Sequence, residues 1–190
     1  MSKNSEIIEC RRTLRPLNTE RSNMGIFDFL KKEDGKEAGF PVKLQATAQG
    51  NIVKMADIPD PVFAEGIVGP CIGIEPENGT IVAPCDGKIL QLSDTKHAFG
   101  IEGIGGAQIL VHIGIDTVSM KGEGFTAKAQ VGDSVKAGQP IIEVDLDKVK
   151  EAGHPTVVIT VLSNPAEFKS VNFSEAQSVS HGDELITIDK

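Results

Sequence analysis

Two histidines of this 190-residue chain have the types and spacing to do chemistry together. His112 lies in the apolar run ILVHIGIDTV, and His97 lies fifteen residues earlier, in DTKHAFG. A neutral imidazole is a good nucleophile near pH 7, because its ordinary pKa is about 6.5. One ring nitrogen can accept a phosphoryl group while the other donates a hydrogen bond to backbone, and a second histidine can donate to the phosphoryl oxygens. The pair therefore makes phosphoryl transfer a candidate chemistry, and the sequence has no P-loop that would indicate direct use of ATP.

The element that must position His112 is a strand formed by VHIGID. Side chains alternate along a strand, so one set is expected to face the core: Val111, Ile113 and Ile115. His112, Gly114 and Asp116 then share the other face. Because Gly114 has no side chain, we expect open space beside His112, with the Asp116 carboxylate farther along the same face.

The second histidine is expected to reach the first through a hairpin. If TKHAF is extended, then Thr95, His97 and Phe99 share one face. The glycine-rich segment GIEGIGG can turn the chain back, which would bring His97 near His112. The expected site contains two imidazoles, a carboxylate and the Thr95 hydroxyl, which could fix the orientation of a ring.

A structural role is the competing interpretation of each histidine, since a lone histidine in a strand is more often a satisfied core or edge residue than a functional one. His154 and His181 lie in the loop contexts AGHP and SHGD, with no cluster of partners. We expect both of these rings at the surface.

The rest of the chain predicts an all-β fold. Its 20 glycines and 10 prolines suit a protein with many turns. Apolar runs rich in β-branched residues recur between turn residues and are predicted strands: KILQL, QILVHIGI, PIIEVD, TVVITVL and ELITID. One short helical turn is expected in NPAEFK, with Asn164 as N-cap and Pro165 as the first helical residue. Another is expected in DLDKVKEAG, ended by Gly153.

Internal similarity indicates a duplicated architecture. ATAQGNIVKM (46–55) is similar to APCDGKILQL (83–92), and GQPIIEVD (138–145) is similar to GDELITID (182–189). Two interleaved copies of one β-unit favour an antiparallel β-sandwich or barrel-like fold with few exposed strand edges.

Charge and cysteine usage exclude several classes. The net charge of −8 argues against a nucleic-acid partner. Cys10, Cys71 and Cys85 show no CxxC spacing, so neither a disulfide framework nor a zinc finger is indicated. The chain shows no signal peptide and no apolar run of transmembrane length, so we expect a cytoplasmic location.

The N-terminal segment differs from the rest. Residues 1–39 predict a weakly ordered leader, with Met24 as an alternative start, ahead of a single domain at residues 40–190. One face of a short amphipathic helix could be formed by Ile26, Phe27, Phe29 and Leu30. A helix of this kind, with Lys31 and Lys32 beside it, could make a peripheral contact with a membrane or a partner.

Several motifs, in the same order along the chain, resemble the glucose-type enzyme IIA of the bacterial phosphoenolpyruvate-dependent sugar phosphotransferase system. GAQILVHIGIDTV is similar to the signature of that family, TKHAFGIE to its second-histidine motif and DIPDPVFAEGIVG to its surface loop. KGEGF and VGDSVKAGQ also fit. The resemblance covers roughly residues 40–190, without the leader, and a free-standing IIA is expected.

The resemblance implies a duplicated β-sandwich in which His112 carries the phosphoryl group, His97 supports the transfer and Thr95 hydrogen-bonds within the site. The implied donor is phospho-HPr, the histidine-containing phosphocarrier. The implied acceptor is a cysteine on the IIB domain of a glucose-type sugar permease. Members of the family can also regulate metabolic or transport proteins by binding them in one phosphorylation state.

The resemblance also implies a docking surface around the histidines. Its apolar rim would consist of Val62, Phe63, Ile67, Val68 and Val118. Asp60 and Asp116 would face basic groups on HPr, which agrees with the acidic character of the chain.

Three other hypotheses stay open. A biotinyl or lipoyl carrier would explain VGDSVKAGQPIIEV, but Lys121 in SMKGEG lacks the setting of a carrier lysine. A zinc peptidase needs three protein ligands, and Gly114 stands where a His-x-His pair would need its second histidine. A binding module without phosphoryl transfer is the third. No cofactor is required, although His97 and His112 could hold zinc weakly with a ligand lent by a partner.

Overall fold

The computed structural model describes residues 39–190. The predicted leader helix at residues 26–30, with Cys10, lies outside the described residues. Fourteen strands are found in the described part of the chain: β1 Val42–Gln45, β2 Gly50–Val53, β3 Cys71–Pro76, β4 Thr80–Val82, β5 Gly87–Leu92, β6 Ala98–Gly103, β7 Gln108–Ile113, β8 Phe125–Ala127, β9 Ser134–Val135, β10 Pro140–Val144, β11 Val158–Leu162, β12 Ser170–Phe173, β13 Ser178–Val179 and β14 Glu184–Asp189. The five predicted strands correspond to β5, β7, β10, β11 and β14.

The strands form one large and two small sheets. The large sheet has the order β13-β2-β3-β11-β7-β6-β5-β9, and the small sheets have the orders β1-β14-β12 and β4-β10-β8. Every pairing is antiparallel. The predicted all-β antiparallel sandwich is confirmed.

The sheet orders display the duplication that the sequence indicates. In the large sheet, β13, β2, β3 and β11 on one side mirror β9, β5, β6 and β7 on the other, and the small sheets correspond strand for strand. The hydrogen bonds repeat as well. The amide of Ala46 donates to Asp183 O (2.8 Å), and the equivalent amide of Ala83 donates to Gln139 O (2.9 Å). The two copies are therefore interleaved along the chain, as predicted.

The repeated glycine of the two similar segments has one physical reason in both copies. Gly50 and Gly87 each begin a strand that pairs closely with the next strand of the large sheet. A Cβ would lie 2.0 Å from Glu75 O at Gly50 and 2.3 Å from Glu102 O at Gly87. Only glycine lets these backbones approach so closely.

The large sheet is covered by apolar side chains on both faces. The main core lies between this sheet and the two small ones and contains Ile109, Val111 and Ile113 of β7. A second cluster covers the other face and includes Leu110 of β7. A strand that is buried on both faces reads as a continuous apolar run, which accounts for the letters ILV before His112.

Within residues 39–190, two short α-helices join the strands: α1 (Pro61–Ala64) and α2 (Leu146–Glu151). The carboxylate of Asp145 caps α2, which ends before Gly153 (φ 81°) as predicted. The other helical prediction is confirmed as a 3-10 turn at Pro165–Glu167, but the side chain of Asn164 does not cap it. This side chain instead hydrogen-bonds Gln108 N and Gly106 O, 2.8 and 2.9 Å away, at the β6–β7 turn.

Among residues 39–190, no helix has the length and apolar character needed to cross a bilayer.

Candidate functional site

The β6–β7 hairpin brings the two histidine rings together. Ala98 pairs with His112, and the amide of Ile113 donates to His97 O at 2.8 Å. The centroids of the two rings lie 5.0 Å apart, with the ring planes at 75°. The predicted meeting of His97 and His112 is confirmed.

His112 is held as a neutral ring of defined tautomer. Its Nδ1 lies 2.9 Å from Gly114 O, and a carbonyl can only accept, so Nδ1 carries the proton and Nε2 keeps its lone pair. Burial lowers the pKa of His112 to about 4, although the bond to Gly114 O and the charge of Asp116 oppose the shift. The ring of Phe63 packs against it, with centroids 5.2 Å apart.

Gly114 is tightly enclosed, so the expected open space beside His112 is wrong. The residue has φ 71°, and a Cβ would lie 2.4 Å from Thr117 Cγ2 and 2.9 Å from Pro155 O. β7 ends at Ile113, whose carbonyl accepts the Thr117 hydroxyl at 2.6 Å. Glycine is needed here because the left-handed turn aims its carbonyl at His112.

The same turn corrects the expected strand alternation. Ile115 packs in the second cluster and not with Val111 and Ile113 in the main core. Asp116 follows in a left-handed conformation (φ 61°) and is half-buried. Its charge acts on the pKa of His112 by proximity through the turn, not by a shared strand face.

His97 lies in a turn and not in an extended strand. Lys96 has φ 58°, which ends the alternation, so Phe99 enters the main core and does not share a face with His97. Thr95 Oγ1 lies 2.5 Å from Nδ1 of His97, and Ser93 Oγ lies 3.3 Å from the same nitrogen. Burial, and then the neighbouring His112, lower the pKa of His97 to about 3.

The Nε2 atoms of both rings are open. Each Nδ1 has a protein partner, and no buried side-chain nitrogen or oxygen in the described part of the chain lacks one. Neither Nε2 has a partner within residues 39–190, so both atoms reach the surface. Two neutral imidazoles thus present their second nitrogens side by side, which suits attack on an incoming phosphoryl group.

Most of the implied docking rim is buried in the unbound protein, and its role in docking stays a prediction. Val62 and Phe63 of α1, and Val68 after it, are buried in the second cluster. Ile67 is 48% exposed and fits the rim. Val118 is half-buried.

Asp60 has a role inside its own loop. Its carboxylate is the N-cap of α1 and accepts the amide of Val62 at 2.8 Å. The side chain is 9% exposed. The carboxylate is therefore used inside the loop, and its contact with a partner stays a prediction.

The other two histidines, and the cysteines of the described residues, stand apart from the paired rings. His181 is exposed, as expected. His154 is half-buried, and its Nε2 lies 2.9 Å from Ser119 Oγ, so it has the partner that the sequence did not indicate. Burial raises the pKa of Cys71 and of Cys85 to about 12, which makes both thiols unreactive.

Metal ligands are sparse around the site. Within residues 39–190, no group of three or more His, Cys, Asp or Glu residues could hold a metal ion. The imidazoles of His97 and His112 are two ligands, and a structural zinc site takes four.

Sequence reasoning missed two contacts in the site. The aromatic contact of Phe63 with His112 depends on α1, which no periodicity in DPVFAEG indicated. Ser93 depends on a turn that returns its hydroxyl to a ring four residues later. A serine in a turn gives no signal that distinguishes this role from ordinary turn chemistry.

An antiparallel β-sandwich with two neutral histidines at its surface defines a class of protein able to take a phosphoryl group on a ring nitrogen. The chain belongs to the family described as phosphoenolpyruvate-dependent sugar phosphotransferase system, EIIA 1, whose model matches residues 42–168. It is accordingly a phosphotransferase component and a phosphoryl carrier. The carrier-lysine, peptidase and pure binding hypotheses are therefore wrong.

Individual relatives agree with this assignment. A "PTS system glucose-specific EIIA component" of Halalkalibacterium halodurans is 44% identical over 137 residues, covering 71% of this chain and 79% of the relative. A protein of the same description from Staphylococcus epidermidis is 36% identical over 148 residues, covering 78% and 89%. The solved glucose permease IIA from Mycoplasma capricolum superposes with a TM-score of 0.69 at 32% identity, covering 77% of this chain and 94% of that chain.

Proposed function

We propose that this chain accepts a phosphoryl group from phospho-HPr on Nε2 of His112 and passes it to a cysteine of the IIB domain of a glucose-type sugar permease in the cytoplasm. The single observation that carries the proposal is the bond from His112 Nδ1 to Gly114 O, which leaves the Nε2 lone pair at the surface. The sugar class follows the descriptions of the relatives.

The transfer step is a displacement at phosphorus. The lone pair of His112 Nε2 forms the new P–N bond while the P–N bond to the donor histidine breaks, and its electron pair stays on the donor nitrogen. The Nδ1 proton remains on His112, where Gly114 O stabilises the positive charge that the ring gains. His97, 5.0 Å away between ring centroids, donates from Nε2 to the phosphoryl oxygens. The hydroxyl of Thr95 orients His97 through Nδ1.

Several finer expectations stay predictions. Zinc at the His97/His112 pair would need further ligands from a partner, and no metal takes part in the proposed step. Binding of regulated proteins in one phosphorylation state rests on the family resemblance alone. So does a contact of the leader with a membrane surface.

The test is phosphorylation by phosphoenolpyruvate, enzyme I and HPr. We expect a label that is labile in acid and stable in base on the wild type and none on His112→Ala. We expect His97→Ala to accept label but to pass it to IIB poorly. His181→Ala is the matched control, because its ring is exposed and belongs to no cluster, and it should behave as the wild type. An unlabelled wild type beside active carrier proteins would refute the proposal, as would full labelling of His112→Ala.

A further inference from the structure

Ser93 ties together the turn that carries His97. Its amide donates to Ala98 O at 2.9 Å, and its carbonyl accepts the amide of Lys96 at 2.9 Å. Its side-chain Oγ accepts the amide of Ala98 at 3.1 Å. The same Oγ lies 3.3 Å from Nδ1 of His97. Ser93 therefore fixes both ends of the turn and also reaches the ring.

The hydrogen-bonding capacity of this hydroxyl limits what it can do. A serine hydroxyl has one proton and two lone pairs. One lone pair of Ser93 Oγ is directed at the amide of Ala98, so its proton and its second lone pair are left for His97 Nδ1. Thr95 Oγ1 approaches the same nitrogen at 2.5 Å. Because Ser93 Oγ accepts the amide of Ala98, its O–H is polarised and becomes a stronger donor, which favours the tautomer in which Nδ1 accepts.

The protonation of Nδ1 decides what the open nitrogen offers. Burial and the neighbouring His112 keep His97 neutral by lowering its pKa, so the ring has one N–H. If Nδ1 accepts, this proton lies on Nε2, which then faces the surface as a donor. If Nδ1 carries the proton, Nε2 presents a lone pair that would repel phosphoryl oxygens. Catalytic support from His97 therefore depends on the tautomer.

We propose that Ser93 is a positioning residue that, together with Thr95, holds His97 in the Nε2–H tautomer and so aims a donor at the phosphoryl group carried by His112. Ser93 acts only through His97. The inference deepens the proposed function and rests on it for its kinetic consequence, but the tautomer itself is a property of the unphosphorylated protein. Two hydroxyls on one nitrogen are partly redundant, so each can compensate in part for the loss of the other.

The tautomer can be measured directly from the imidazole nitrogen shifts of His97 in two-bond ¹H–¹⁵N NMR spectra at pH 7.5. We expect the wild type to show Nε2–H. Ser93→Ala and Thr95→Val should each retain a majority of it, and the double variant should show a mixture. Ser93→Thr keeps a hydroxyl and should restore the wild-type pattern. Ser178→Ala is the matched control, because this serine is exposed on β13 at the far edge of the large sheet.

The kinetic readout is transfer of phosphoryl from the labelled protein to IIB. Loss of one hydrogen bond of ordinary strength predicts a rate about 3- to 10-fold lower for Ser93→Ala. The double variant should lose more than the product of the two single effects, because each hydroxyl covers for the other. If alanine disturbs the turn, Ser93→Cys keeps a side chain of similar size with a much weaker donor. It should show the same tautomer distribution as Ser93→Ala, both alone and combined with Thr95→Val.

Two results would overturn the assignment. One is a wild-type tautomer in Ser93→Ala, Ser93→Cys and the double variant, whatever their rates, since Ser93 would then only shape the turn. The other is an Nδ1–H tautomer in the wild type. Failure of the proposed function appears differently: the wild type would take no label, while the nitrogen shifts would still decide the role of Ser93.

Discussion

The two imidazoles are kept neutral by the protein around them, at the scale of single residues. His112 is 7% exposed, and burial outweighs both the bond to Gly114 O and the charge of Asp116. A ring that stays unprotonated well below pH 6.5 remains a nucleophile across the physiological range. The same property makes the fold sensitive to acid, because the unfolded chain protonates these rings first.

The acid sensitivity caused by the buried histidines should be measurable in the pH dependence of stability. The pKa of His112 falls from its ordinary 6.5 to about 4 in the fold. The contribution of His112 to the free energy of unfolding is complete above pH 6.5. It decreases as the pH falls from 6.5 to 4 and levels off below pH 4. The loss should be about 1.4 kcal/mol per pH unit from this ring. Urea unfolding of the wild type and His112→Gln between pH 7.5 and 5 measures it, and the variant should show the shallower slope.

His181→Gln is the control for this measurement, since it removes an exposed histidine and should leave the wild-type slope. Equal slopes in the wild type and His112→Gln would contradict the assignment of the acid sensitivity to His112.

Much of the site could be predicted from residue types, and the rest depends on backbone geometry. The apolar run around His112 and the glycines between the histidines were enough to predict the hairpin and the ring pair. The left-handed conformations of Lys96, Gly114 and Asp116 were not predictable, because such conformations depend on the contacts that fix them. Because of these conformations, Phe99 does not share a face with His97. The carbonyl of Gly114 hydrogen-bonds to His112 where the sequence suggested open space.

The loop with α1 supports the site at the scale of elements. α1 begins at the Asp60 cap and places the ring of Phe63 on His112, with 5.2 Å between centroids. The turn after β7 supports the other side of the ring through Gly114 and Thr117. The family resemblance implied a docking rim in the first loop. The helix itself was not predicted, because four residues are too few to show a period.

The role of Asp60 can be tested by keeping the cap and removing the charge. Asparagine caps helices about as well as aspartate, so Asp60→Asn should leave the free energy of unfolding within about 0.5 kcal/mol and the KM for phospho-HPr unchanged. Asp60→Ala should lose about 1 kcal/mol. A KM raised several-fold in Asp60→Asn, at unchanged stability, would instead support the docking role that the family resemblance implied.

Gly114→Ala should damage the site more than the fold. A Cβ would meet Thr117 and Pro155 and would strain a φ of 71°, which moves the carbonyl that orients His112. We expect acceptance of phosphoryl from HPr to fall about 10- to 100-fold, since small displacements at a reacting centre are costly. The measurement is the single-turnover rate of labelling.

Gly132→Ala is its matched control, because Gly132 also has a positive φ (95°) but has nothing within 4 Å of an added Cβ. It should lose about 1 kcal/mol of stability from backbone strain and none of the labelling rate. Equal labelling rates in the two variants would show that the Gly114 carbonyl is not needed.

At the scale of the whole molecule, the duplication determines the arrangement of the sheets. Two segments that the sequence showed to be similar occupy equivalent positions in mirrored halves of the large sheet. Their similarity could be recognised because the close backbone approach requires glycine at the same position of both segments, Gly50 and Gly87. The order of the strands was not predictable, because β7 and β11 share no such marker.

The equivalence predicts matched costs of substitution. Gly50→Ala and Gly87→Ala would each place a Cβ within 2.3 Å of a carbonyl oxygen of the neighbouring strand. Each should lose at least about 2 kcal/mol, the range of overpacked sites. Gly182→Ala, where nothing lies within 4 Å of the added Cβ, should lose about 1 kcal/mol. The measurement is the free energy of unfolding in urea. A loss of stability in only one of Gly50→Ala and Gly87→Ala would contradict the equivalence of the two positions.

The pairing of β1 with β14 has a consequence for how the protein is made. Val42 lies opposite Ile188, so the first described strand finds its partner about 150 residues later. At about 5–20 residues per second, a ribosome takes about 7–30 s to cover this distance. Throughout that time the nascent chain carries an unpaired strand with two apolar side chains, Val42 and Leu44, that the finished protein buries. Protection by chaperones is therefore most needed before synthesis reaches the last strand.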